Sequence, residues 1–207
     1  MKEILPSDDK FDEFIEEIRV GDLDKSLEYL NEEGGMELLR KEFHQPMTLD
    51  EIVELELALN DTEDSYEDSG GSTLILQPLQ LAIVAQQGDI IKAILRHIIA
   101  QNDADAIISL LTEYLGHRAR IDFPTEDTER YDKDDRSLDG MNAFHLAAKY
   151  FPLGLEVIFK TLNDEHATYP QILKLLLERD DHLKQTPLHV ALKNRSSESS
   201  DAARYFT

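Results

Sequence analysis

The phrase Thr186-Pro187-Leu188-His189-Val190-Ala191-Leu192 constrains this chain more than any other feature, because altered copies stand at Asn142-Ala143-Phe144-His145-Leu146-Ala147-Ala148 and at Gln77-Pro78-Leu79-Gln80-Leu81-Ala82-Ile83. Each copy reads as a polar residue, a proline or alanine, a large apolar residue, a polar residue, and then small or apolar residues. Such an order opens a short helix. The leading polar side chain can accept from an otherwise orphaned N–H of the first turn, and proline at the first helical position gives up an N–H that had no partner to find. Ala147, Ala148, Ala82 and Ala191 then suit a close approach of neighbouring helices, where a larger side chain would overpack the contact. Three such openings predict similar helices that pack against one another.

A second phrase follows the first. Gly88-Asp89-Ile90-Ile91-Lys92-Ala93-Ile94-Leu95 comes after the Gln77 copy, and Gly154-Leu155-Glu156-Val157-Ile158-Phe159 after the Asn142 copy. Both have apolar residues at helical spacing. Gly21-Asp22-Leu23-Asp24-Lys25-Ser26-Leu27-Glu28-Tyr29-Leu30 repeats the pattern near the start, preceded by Phe14, Ile15 and Ile18 on one helical face.

Together the two phrases resemble the ankyrin repeat family, whose unit is a pair of antiparallel helices stacked on the next pair. The resemblance implies an all-α fold, an ankyrin-repeat solenoid of stacked antiparallel helix pairs with inserted helices and acidic loops. It also implies structural roles for His145 and His189, each tying one repeat to the next. Gly21 to Gly88 is 67 residues and Gly88 to Gly154 is 66, each about twice the usual period of about 33. Either a worn repeat or inserted helices fill each gap, with Leu49 to Leu59 and Ala104 to Leu115 as candidates. Two extra residues before the glycine in both intact copies suggest a lengthened inner helix. The expected layout is one array over residues 1–207: a degenerate first repeat at 11–33, an inserted or worn repeat at 36–60, an acidic loop at 60–72, a repeat at 73–101, an inserted helix at 103–116, an acidic loop at 122–140, a repeat at 141–163, an inserted helix at 170–179 and an incomplete repeat at 184–207. Asp201 to Phe206 reads as the opening turn of a helix cut short, which suggests an excerpt of something longer.

Members of this family are nearly always binding surfaces for other proteins. Carried onto matching positions, the concave partner-binding surface comprises Leu138, Asp139 and Met141 with Lys149 and Tyr150 in one repeat, and Gln185 with Lys193 and Asn194 in the next. In the Gln77 copy only Leu76 transfers, because Leu74-Ile75-Leu76 makes an apolar hairpin there. Tyr150 is the expected anchor, since an exposed tyrosine offers large area at small entropic cost.

Charge points the same way. The net charge is -22, and residues 1–70 hold 23 acids against 6 bases, so that third carries -17. Such a field repels nucleic acid and anionic lipid and speeds encounter with a basic protein segment. The acidic runs at 60–72 and 122–140 are too poor in apolar residues to offset the entropy of ordering, and they contain Tyr66, Tyr131 and Ser65, open to docking or modification. The absence of cysteine excludes disulfides, thiolate zinc sites and a thiol nucleophile, and agrees with a cytoplasmic setting. No run approaches the roughly 20 apolar residues of a membrane span, and the residues after Met1 form no apolar run resembling a signal peptide.

Chemistry has little foothold. Asp132-Lys133-Asp134-Asp135 resembles the start of a calcium loop, but Ser137 stands where its glycine is needed and Ala143 where its last carboxylate is needed. No metalloprotease helix, phosphate-cradling loop or nucleophile elbow occurs. The expectation is a scaffold or adaptor without catalytic residues, cofactor, metal or small-molecule substrate. It masks a basic partner segment, as ankyrin inhibitors of Rel transcription factors do, or acts as a pathogen effector in a host cytosol. The alternative is the regulatory ankyrin region of a larger channel or enzyme.

Overall fold

The computed structural model describes residues 8–47, 72–100, 104–122, 138–167, 169–179 and 184–193. The candidate helix Leu49–Leu59, most of both acidic loops with Ser65, Tyr66, Tyr131 and Asp132 to Asp135, and the segment from Asn194 onward lie outside these residues.

The chain is mostly helical. In order it forms α1 (Asp8–Val20), α2 (Leu23–Asn31), α3 (Gly35–Arg40), β1 (Phe43–Met47), β2 (Ser72–Leu76), α4 (Pro78–Val84), α5 (Gly88–Ala100) and α6 (Ala104–Gly116). It continues through β3 (Arg120–Asp122), α7 (Ala143–Tyr150), α8 (Pro152–Asp164), α9 (Pro170–Lys174) with a 3-10 turn at Leu175–Leu177, and α10 (Pro187–Lys193). The three repeated phrases are α4, α7 and α10, and the residues that follow the first two are α5 and α8.

Short turns fold each such pair back on itself. Between α1 and α2 the turn is Gly21, held at φ 81, where an added Cβ would meet the Gln87 amide oxygen at 2.6 Å. Only glycine takes that conformation without strain. Asp22 then caps α2, its carboxylate accepting from the Lys25 N–H at 3.1 Å.

The pairs line up in rows. In the inner row α1 packs on α4, α4 on α7 and α7 on α10; in the outer row α2 packs on α5 and α5 on α8. A third row follows the outer helices. Tyr114 on α6 donates its hydroxyl to the Met36 carbonyl of α3 at 3.3 Å, Arg40 on α3 lies 3.9 Å from Glu113 on α6, and α6 packs on α9. In both long gaps the described residues thus hold a third helix, with two strands in the first gap and one in the second.

The mostly helical fold agrees with the all-α expectation, and the strands are a small addition to it. β1, β2 and β3 form a three-stranded antiparallel sheet in that order, with Phe43 opposite Leu76 and Leu74 opposite Ile121. The expected lengthening of the inner helices is absent. α4 stops at Val84 and spends the extra residues in a turn where Gln86 has φ 58, while α8 begins at Pro152 and takes Gly154 inside the helix. Gly154 is needed there because a Cβ would meet the Phe151 ring at 2.5 Å.

One continuous apolar core joins the rows. Phe14, Ile18, Leu79, Ile83, Ile94, Leu111, Tyr114, Phe144 and Ile158 are among its fully buried members, and Phe144 stacks on Phe159 of α8 with ring centroids 5.7 Å apart. Burial of large side chains of this kind stabilises each by about 1.5–3 kcal/mol relative to exposure.

Candidate functional site

The repeated phrase builds the same lock three times, each from its own residues. At α7 the Asn142 side-chain oxygen accepts from the Phe144 and His145 N–H groups, both at 3.1 Å, and the Asn142 N–H lies 3.3 Å from His145 Nδ1. The other ring nitrogen, Nε2, lies 3.0 Å from the Gln185 carbonyl, which can only accept, so the contact is a hydrogen bond when Nε2 carries the proton. At α4 glutamine does the work of histidine. The Gln77 N–H donates to Gln80 Oε1 at 2.9 Å, and Gln80 Nε2 donates to the His117 carbonyl at 2.9 Å. At α10 Thr186 Oγ1 and His189 Nδ1 lie 2.7 Å apart. Both Gln80 and His145 are fully buried and reach across to the next unit.

Several residues expected on a concave surface are core residues instead. Leu76, Leu138 and Met141 are each 2% exposed and Tyr150 is 9% exposed. The reason is non-local. The Ala119 N–H donates to the Met141 carbonyl and the Gly140 N–H to the Ala119 carbonyl, both at 2.9 Å, so the turn before α7 is sewn to the segment leading into β3. Leu76 lies in β2, the central strand of the sheet. Tyr150 is packed at the end of α7, with Lys149 Nζ 5.2 Å from its ring centre. It therefore offers no surface for a partner, and its reading as an exposed anchor is corrected.

The remaining positions are mixed. Asp139 is half-buried and its carboxylate lies 3.4 Å from the Ile121 N–H, which places it as a cap on the edge strand. Lys149 and Gln185 are half-buried, Lys193 is exposed, and Asn194 lies outside the described residues.

Acidic side chains dominate the accessible surface of the first two helices. Asp9, Asp12, Glu13 and Glu16 on α1 and Asp24 and Glu28 on α2 are exposed, at the end of the rows opposite α10. Bases answer some acids there: Lys25 lies 2.8 Å from Glu17, and Arg19 lies 3.4 Å from Glu16. The Tyr29 hydroxyl donates to Glu13 at 2.8 Å, and that bond pushes its pKa up to about 12. Surface pairs of this kind contribute little to stability, so their main effect is on the field. This acidity was legible in the composition.

Two grooves of about 400 Å³ each run between successive outer helices. Leu23 and Leu27 of α2 face Ala93 and Arg96 of α5 across one, and Leu153 and Val157 of α8 face Gly88 across the other; Asp89 and Lys92 border both. Sequence reasoning missed them, since nothing local marks the space between two helices. Their charges are of both signs. Burial lowers the pKa of His97, and burial also dominates at His117, where Glu42 opposes it from 3.4 Å. Among the described residues no group of three or more histidines and carboxylates could hold a metal ion, and no helix is long and apolar enough to cross a membrane.

Against known proteins, the chain matches no family model, no curated protein and no solved structure.

Proposed function

We propose that this chain is a protein-binding module, an ankyrin-like array whose acidic α1–α2 end receives a basic segment of a partner protein. The observation that carries the reading is the set of exposed acids Asp12, Glu13, Glu16, Asp24 and Glu28 on the two helices that begin the rows. Support for the array comes from the recurring lock, in which Gln80 and His145 each bond a carbonyl of the following unit. The positions inherited from the family's concave surface do not carry the reading, because four of the nine, Leu76, Leu138, Met141 and the expected anchor Tyr150, are buried; the field of the acidic end does. Charge arranged this way acts chiefly on the rate of encounter.

A lysine- and arginine-rich peptide with a fluorescent label is a suitable probe. Stopped-flow association should slow as salt rises, with a much smaller change in dissociation. Asp24→Lys with Glu28→Lys should lower the on-rate about tenfold at low salt while leaving the melting temperature unchanged. Equal on-rates at low and high salt, or a variant as fast as the parent, would leave the acidity without a role in recognition.

A further inference from the structure

The three copies of the phrase can be compared position by position, and among the described residues no further unit covers the last one. The third and sixth residues of the inner helix are Gln80 and Ile83 in α4 and His145 and Ala148 in α7, and all four are fully buried. In α10 they are His189, which is exposed, and Leu192, which is 65% exposed. The earlier copies are buried because the next unit covers them and supplies a carbonyl, His117 to Gln80 and Gln185 to His145. His189 keeps its lock with Thr186, but among the described residues no carbonyl meets its other nitrogen. The third row ends in the same way, with Leu177 77% and Leu173 41% exposed. Most of the large exposed apolar side chains of the described residues therefore lie at this one end.

Charge says what suits that end. Lys174, Arg179, Lys184 and Lys193 are exposed around it, while Glu178 lies 3.2 Å from Arg118; Asp180 and Asp181 are outside the described residues. The opposite end presents the exposed acids of α1 and α2. We propose that the α9–α10 end of the array docks the α1–α2 end of a second copy of this chain, head to tail. This contact continues the rows in the direction in which they already stack, and it sets the most acidic part of one copy against the lysines of the other. Two copies meeting through their α10 ends would instead face lysine with lysine. The contact is heterologous, so it propagates into open chains and does not close on a two-fold axis. It goes beyond the reading of the acidic end as a receptor for a foreign segment, and either can hold without the other.

Sedimentation velocity of the full chain over a wide concentration series tests it. The average mass should rise above that of the 23.7 kDa monomer with concentration at physiological salt and fall back at high salt. Leu177→Glu with Leu192→Glu at one end, and Asp12→Lys with Glu16→Lys at the other, should each weaken self-association about tenfold or more. An equimolar mixture of these two variants, each keeping one intact end, should form a one-to-one pair and nothing larger. Lys184→Glu with Lys193→Glu repeats the first test without touching an apolar residue. A parent chain that stays monomeric at every concentration and salt overturns the proposal. So does continued association of the Asp12→Lys, Glu16→Lys variant, which would mark a contact between like ends.

Discussion

His145 Nε2 and the carbonyl oxygen of Gln185 stand 3.0 Å apart although forty residues separate them. The bond joins α7 to the turn that launches α10, and it is made by a fully buried side chain. Gln80 makes the equivalent reach from α4 to His117 with an amide. Histidine and glutamine thus stand at the same position of the phrase and make the same two reaches, one to the backbone N–H at the helix start and one to a carbonyl distant in sequence.

From this follows a pair of substitutions at one site. His145→Ala leaves the Gln185 carbonyl and the Asn142 N–H without their partner and should cost about 1–3 kcal/mol or more, since both an unsatisfied group and a cavity result. His145→Gln should retain most of the parent stability. Urea unfolding of the two variants separates a specific lock from simple space-filling, for which the two should be similarly damaging.

Ala147 is fully buried in α7, between α4 and α10. Enlarging it to leucine forces the neighbouring helices apart, and Ala147→Leu should destabilise by about 1–3 kcal/mol in thermal or urea unfolding. An unchanged midpoint would mean that the inner row is loosely packed at this point.

Tyr150 yields a test of its corrected role. As a core residue, Tyr150→Ala should lower stability by about 3–5 kcal/mol. Had the side chain been an exposed anchor, the same change would leave unfolding untouched, so calorimetry distinguishes the two.

His97 and His117 give the stability a dependence on pH. Both have folded pKa values lowered, chiefly by burial, from the ordinary 6.5. Below that value the unfolded chain takes up protons that the folded chain refuses, so their contribution is full above 6.5 and is lost as pH falls towards the lowered folded values. Melting temperature should therefore fall between about pH 7.5 and pH 5. His97→Asn with His117→Asn should flatten that part of the profile, and a profile of unaltered slope would assign the change to other groups.

Much of the helical skeleton was readable locally. Asn142 and Pro78 mark helix starts by the chemistry of their own side chains, and Ile90, Ile91, Ile94 and Leu95 declare an apolar face by spacing alone. Of the sheet only Leu74 to Leu76 in β2 was readable, as an apolar hairpin segment; β1 was not, because it carries Pro46 within five residues and shows no alternation, and it exists only through its pairing with β2. The same limit explains the site. Burial of Leu76, Leu138, Met141 and Tyr150 is decided by strands and turns distant in sequence, whereas the acidity of α1 and α2 needs no partner to be seen. Exposure of Leu192 is likewise a property of what stands beside it, so its phrase looks the same as the two buried ones.

The order of the inner row is the claim on which the rest depends, and a chain without cysteine allows it to be measured directly. Val20 at the end of α1 and Leu192 in α10 are 62% and 65% exposed, so each can be changed to cysteine and spin-labelled without disturbing the core. Pulsed electron double resonance on the doubly labelled chain, diluted in unlabelled protein, should give one distance near 24–30 Å, since about 8–10 Å separates packed helices and three steps lead from α1 to α4, α7 and α10. A separation of about 10 Å, the spacing of adjacent helices, would mean that the first and last helices are neighbours in a closed bundle and would contradict the array.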